Sequence, residues 1–207
     1  ADNTAVGTSA LRQNTTASNN TAVGRGALTA NTTGASNTAV GAGALDANTT
    51  ANDNTAVGKN ALTASTSGDQ NVAVGANAAD SVTTGSRNVA VGPQSLAAAT
   101  TAVDSIAIGY QALDAATNSG RNVAIGVAAL GAITSQNNNT AVGFQSQTAR
   151  TDGNDNTSVG AYCMNAAATG DNNTGVGKSA LHDLTSGTDN TAVGLNASFP
   201  LESGSQN

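Results

Sequence analysis

Large side chains and charge are both scarce in this 207-residue chain. It has no Trp, two Tyr, two Phe, one Cys and two Pro, and only 10% of its residues are charged. A thick core of aromatic residues is therefore excluded, and the single Cys163 rules out any intrachain disulfide. The seven Lys and Arg are scattered against thirteen Asp and Glu, for a net charge of −6. That balance argues against a nucleic-acid footprint and against binding to an anionic membrane surface. No apolar run approaches the ~20 residues of a membrane-spanning helix, and no secretory leader is visible. The first residue already falls inside a repeat, so the natural protein is expected to extend beyond residues 1–207.

What the chain does have is a period. Gly7, Gly24, Gly41, Gly58, Gly75, Gly92, Gly109, Gly126, Gly143, Gly160, Gly177 and Gly194 recur every 17 residues without an insertion. Each closes a five-residue phrase of the form Asn-Thr-Ala-Val-Gly. Its Asn is present at Asn3, Asn20, Asn37, Asn54, Asn71, Asn88, Asn122, Asn139, Asn156, Asn173 and Asn190, with Ser105 the one exception. Self-similarity at a short fixed period is the mark of a solenoid, in which each repeat buries its apolar side against its neighbours. Residues 1–207 therefore read as one continuous array.

Aligned on the Asn, the columns have a chemical meaning. The residue after Asn is Thr, Val or Ile, the next is Ala in ten repeats, and the third is always Val or Ile. Such alternation predicts a strand with a β-branched face and a small face. The β-branched face is expected inside and the Ala strip outside. The glycine that follows ends the strand and implies a positive φ or a turn too tight for a Cβ. Variable polar residues come next, then an Ala-Leu phrase such as Ala27-Leu28, then a Thr column running from Thr15 to Thr185. A 17-residue repeat that holds a strand and two turns has no room for a stable helix. The expected fold is all-β, a parallel β-solenoid of twelve 17-residue coils with two short strands per coil. At ~4.8 Å per coil the rod is roughly 58 Å long. Stacking should place the Asn column in a ladder of side-chain amides. Cys163 shares a column with Ala and Ser, which makes it a small buried substituent.

Asn71-Val-Ala-Val-Gly75 and Asn122-Val-Ala-Ile-Gly126, with the Asn-Thr-Ala-Val-Gly phrases and the segments Ala27-Leu28 and Asn31-Thr32-Thr33-Gly34, resemble the head repeats of YadA-like trimeric autotransporter adhesins. They are also similar to the related β-roll repeats of phage tail fibres. The resemblance implies a left-handed β-roll, a homotrimer, and an extracellular role in attachment at a bacterial surface or on a virion. A host-surface protein or glycan is the implied partner. The 17-residue period is longer than the coil typical of those heads, and no neck, stalk or barrel occurs within the chain. The outward Ala strip was the expected packing surface between subunits.

Catalytic chemistry has little to work with. His182 is the only His and sits in a variable column; the acidic residues Asp53, Asp104, Asp155 and Asp189 share a column with Arg87 and Arg121, as a solvated turn would. The chain reads as a non-enzyme with no cofactor. The Gly-Gly-x-Gly-x-Asp phrase of calcium-binding β-rolls is absent, so no metal site is expected. The strongest local anomaly is a candidate contact patch of Tyr110, Val127, Phe144 and Tyr162, at or just after the coil glycines of four successive repeats. An ice-binding solenoid is the alternative, because two columns are rich in Thr. Against it, the first column switches to Val or Ile at Val72, Val89, Ile106 and Val123, as an inward position tolerates.

Overall fold

The computed structural model describes residues 2–149, 151–166, 169–197 and 204–205. It is a parallel β-solenoid. Twelve three-residue strands, β1 (Thr4–Val6), β2 (Thr21–Val23), β3 (Thr38–Val40), β4 (Thr55–Val57), β5 (Val72–Val74), β6 (Val89–Val91), β7 (Ile106–Ile108), β8 (Val123–Ile125), β9 (Thr140–Val142), β10 (Thr157–Val159), β11 (Thr174–Val176) and β12 (Thr191–Val193), form one sheet in sequence order. Every neighbour pair is parallel and in register at the 17-residue period, as in Thr4↔Thr21 and Val6↔Val23. No helix occurs among the described residues.

The sheet faces the opposite way from the sequence-based expectation. Ala22, Ala39, Ala56, Ala73, Ala90, Ala107, Ala124 and Ala141 are fully buried, whereas Val40, Val57, Val74, Ile108 and Ile125 are 36–38% exposed. The small column is the core and the β-branched columns face out, so the expected Ala strip on the surface does not exist. The reason is the width of the coil. Leu28, Leu45, Leu62, Leu96, Leu113 and Leu130 enter from the opposite wall and are themselves fully buried. A methyl group is all that fits in front of them at native packing density.

There is also one strand per coil, not two. The Ala-Leu wall stacks through backbone bonds, such as Leu28 N–H to Ala44 O (3.0 Å) and Ala30 N–H to Asp46 O (3.0 Å). Its backbone is not pleated, because φ is positive at alternate residues: Asn60 has φ 56° and Leu62 φ 50°, with Ala61 between them. A left-handed residue other than Gly costs ~1–2 kcal/mol, comparable with the ~1.5–3 kcal/mol gained by burying each Leu. A third left-handed column (Asn19, Ser36, Asp53, Gln70, Arg87) turns the chain back into the next strand.

The coil glycine is required twice over. Gly109 has φ 130°, and a Cβ there would lie 2.6 Å from the carbonyl oxygen of Gly126 in the next coil.

The apolar core has one break along the rod. A first cluster of buried side chains runs from Leu11 to Ala141, and a second begins at Cys163. Between them, Ser158 takes the strand-centre place of Ala and Gln147 the place of Leu. Ser146 Oγ and Ser158 Oγ lie 2.6 Å apart, and Gln147 Nε2 donates to Ser158 Oγ at 2.8 Å. Each polar substitution supplies a partner for the other, and Gln147 Oε1 is left as the buried atom of the cluster without one.

Candidate functional site: the outward face and its margins

The outer surface of the sheet is built from the first and third residues of each strand. The first is Thr in eight strands and Val or Ile in β5–β8; the third is Val or Ile throughout. No charged residue occurs anywhere in the twelve strands. A uniform, uncharged strip of branched side chains running the length of a rod is unlike ordinary solvated surface, and contiguous exposed apolar patches mark contact surfaces.

The candidate contact patch lies at the margin of this face, just past the coil glycine. Tyr110, Val127 and Phe144 are 46%, 40% and 44% exposed. Phe144 meets Tyr162 edge to face, with ring centroids 5.3 Å apart at 78°. Tyr162 is half-buried and adopts φ 58°, a position filled by Asn, Gln, Ser or Gly in most other coils. Together with Ile108 and Ile125 these residues widen the apolar strip in the middle coils. The sequence had brought the four residues together by spacing. It had missed the contiguity with the Val/Ile face, because that face was expected inside.

The asparagine column is a ladder of a different kind from the one expected. Asn20 Oδ1 accepts the backbone N–H of Asn37 (2.9 Å), and Asn20 Nδ2 donates to the carbonyl of Gly34 (2.9 Å). The same pair of bonds recurs at Asn37, Asn54 and Asn71. The side chain thus bonds backbone above and backbone within the coil, fixing the entry to each strand. Direct amide-to-amide bonds occur at Asn88, Asn156, Asn173 and Asn190 as additions. A purer amide stack lies in a column the sequence reading passed over: Asn31 Nδ2 to Asn14 Oδ1 and Asn48 Nδ2 to Asn31 Oδ1. At Ser105 the main ladder thins, for its Oγ accepts the Asn122 N–H only at 3.4 Å and donates to Val103 O (3.1 Å) within its own turn. The Thr column forms a further ladder: Thr32 Oγ1 donates to Thr49 O, and Thr83 Oγ1 to Thr100 O, both at 3.0 Å.

The acidic column is an outer ladder of paired turns. Arg87 forks onto Asp104 (Nε to Oδ1 2.6 Å, Nη2 to Oδ2 3.0 Å), and that bonded guanidinium holds the Asp104 carboxyl below its usual range. Asp155 accepts from Asn138 and Asp189 from Asn172. His182 is half-buried, with Nδ1 beside the Asp183 carboxylate. Cys163 is fully buried, and desolvation pushes its thiol up to about 11. Among the described residues no group of three His, Cys, Asp or Glu converges as metal ligands would.

Fold and surface together define a parallel β-solenoid with an uncharged outward sheet. Compared with protein-family models, characterised proteins and solved structures, the chain matches none.

Proposed function

We propose that this chain is an extended segment, head or shaft, of a fibrous surface adhesin or virion fibre. On this reading it assembles as an extracellular homotrimer and mediates attachment to a surface protein or glycan. One observation carries the proposal: the sheet's outward face is charge-free along all twelve strands and presents Val or Ile from every one. Water is a poor partner for such a strip, and covering the exposed third of each branched side chain is worth roughly a third of the ~1.5–3 kcal/mol of full burial. Identical rods related by a rotation axis parallel to their length would cover it along its whole run, coil against coil. The subunit contact then lies on the Val/Ile face, in place of the Ala strip that the sequence pointed to. Tyr110, Val127, Phe144 and Tyr162 fall at its margin and are the candidate attachment residues.

Sedimentation equilibrium tests the assembly. One chain has a mass of 19.9 kDa, and a species of three times that mass is expected at micromolar concentration. Ile108→Lys with Ile125→Lys should return it to the single-chain mass. A wild-type monomer overturns the reading. Attachment is tested with beads carrying the wild-type fragment on a glycan array and on immobilised extracellular-matrix protein. Retention should fall at least tenfold with Tyr110→Ser and Phe144→Ser; unaltered retention removes the patch from the proposal.

A second reading has one observation in its favour. The first Thr column, set aside on sequence grounds as inward, faces out in eight strands at ~4.8 Å intervals, as an ice-binding array would require. Thermal hysteresis by the purified fragment, lost with Thr38→Lys and Thr55→Lys, would replace the fibre reading with this one. Absence of hysteresis retires it.

A further inference from the structure

The third coil carries a notch. In the two positions after the coil glycine, other coils place side chains such as Lys59-Asn60, Tyr110-Gln111 or Phe144-Gln145; the third has Ala42-Gly43, and the second contributes Gly26. These small residues leave a hollow of about 200 Å³. Arg25 from the coil below and Lys59 from the coil above wall it, with Asp46, Asn60 and Thr63 on the far side.

The charges around it are uncommitted. Arg87 finds Asp104 one coil away in its own column, but the column of Arg25 and Lys59 contains no acidic residue. Among the described residues neither cation, nor Asp46, makes an ion pair. Their backbones are two coils apart, ~9.6 Å, within the reach of two long side chains towards one small group. The local balance is +2 − 1 = +1 in a chain of net charge −6. The Asp46 carboxylate also borders the empty space. A Cβ built on Gly26 would stand 3.5 Å from Thr29 Oγ1 and 3.8 Å from Asp46 Oδ1.

We propose that this notch is a binding site for a small hydroxylated carboxylate, of the uronic-acid class. The Arg25 guanidinium and the Lys59 ammonium take the carboxylate, the first suited to a bidentate contact. Asp46, Asn60 and Thr63 accept or donate to ring hydroxyls. The volume falls below the ~300 Å³ at which drug-sized ligand sites begin, which limits the ligand to a single ring. The site lies within one chain and does not rest on the trimer or on the aromatic patch.

The repeat itself supplies the control. Gly26 has φ 73°, and the same column holds Asn60 (φ 56°) and Asn77 (φ 55°), so Gly26→Asn fills the notch with a residue this backbone already accepts. Titration of the full chain with glucuronate, followed by NMR, should give saturable shifts. Glucose, which lacks the carboxylate, and acetate, which lacks the hydroxyls, should each bind at least tenfold more weakly. Gly26→Asn should lower glucuronate affinity at least tenfold without altering the melting temperature, and Arg25→Gln with Lys59→Gln should abolish it. A glucuronate-terminated oligosaccharide binding as well as the free acid assigns the site to glycan ends; failure of the oligosaccharide alone assigns it to the free acid. No saturable binding by the wild type, or binding that survives Gly26→Asn, overturns the proposal. Either result leaves the sedimentation test of assembly untouched.

Discussion

Cys163 Sγ occupies the space into which residue 175 would otherwise direct a methyl group. A Cβ on Gly175 would lie 2.7 Å from that sulfur and 3.1 Å from Met164 Cε. Two departures from the repeat, twelve residues apart in sequence, thus explain one another. Ten coils have Ala at the strand centre and this one has Gly, because the Ala-Leu phrase of the coil before it has become Cys163-Met164.

Gly175→Ala alone should therefore destabilise the chain by ~1–3 kcal/mol through overpacking. In the Cys163→Ala background the same change should be neutral or favourable. A double-mutant cycle by chemical denaturation reads the coupling directly. Additive effects would separate the two residues.

The buried thiol also makes stability depend on pH. Its pKa is raised from the ordinary 9.0 to about 11 by burial. Its contribution is fully present below pH 9 and is lost as pH rises, because the unfolded chain ionises first. The wild type should lose about 2–3 kcal/mol relative to Cys163→Ala between pH 9 and pH 11. Parallel denaturation curves at the two pH values test this. In the native state at pH 8 the thiol should also resist iodoacetamide.

Gly126→Val tests the glycine column. At φ 135°, a Cβ at this position would stand 2.6 Å from the Gly143 carbonyl carbon, so strain and steric conflict act together. A loss of at least ~2 kcal/mol is expected. An unchanged melting curve would contradict the account of that turn.

Ser105→Asn should stabilise. It would restore a strong acceptor for Asn122 N–H, now served at 3.4 Å, and a donor to the Ser119 carbonyl. A gain of ~1 kcal/mol follows from the net worth of such bonds. Hydrogen exchange at Asn122 should slow in step; faster exchange would show that the ladder does not fix the strand entry.

The period, the strand at Thr-Ala-Val and the glycine turn were all legible in the sequence, since each follows from spacing or from the steric needs of the backbone. The direction of the strand's two faces was not. Alternation at Thr38-Ala39-Val40 separates the faces but does not name the inner one, and ranking by hydrophobicity alone selects Val. What decides it is the distance to Leu45 on the opposite wall, which no local pattern encodes. The second wall was misread as a strand because its left-handed positions include Leu62, a buried Leu in which a positive φ is not expected, although Asn60 before it is a residue that readily adopts one. The contact patch was found by its rarity, whereas the notch was overlooked. Ala42-Gly43 announces itself by what is missing, and a consensus suppresses omissions.

The Ser146–Gln147–Ser158 cluster divides the rod into a long N-terminal block and a short C-terminal one. In a linear array, cohesion is summed over neighbouring pairs, and fraying that starts at the C-terminal end advances one coil at a time. Its progress is governed by the plane it reaches next. At this cluster the side-chain core itself is joined by directional hydrogen bonds that tolerate little shear, where the core of the flanking coils is alkyl packing with the Asn and Thr ladders beside it. A rod pulled along its axis should yield there as a discrete step, as at a built-in fuse.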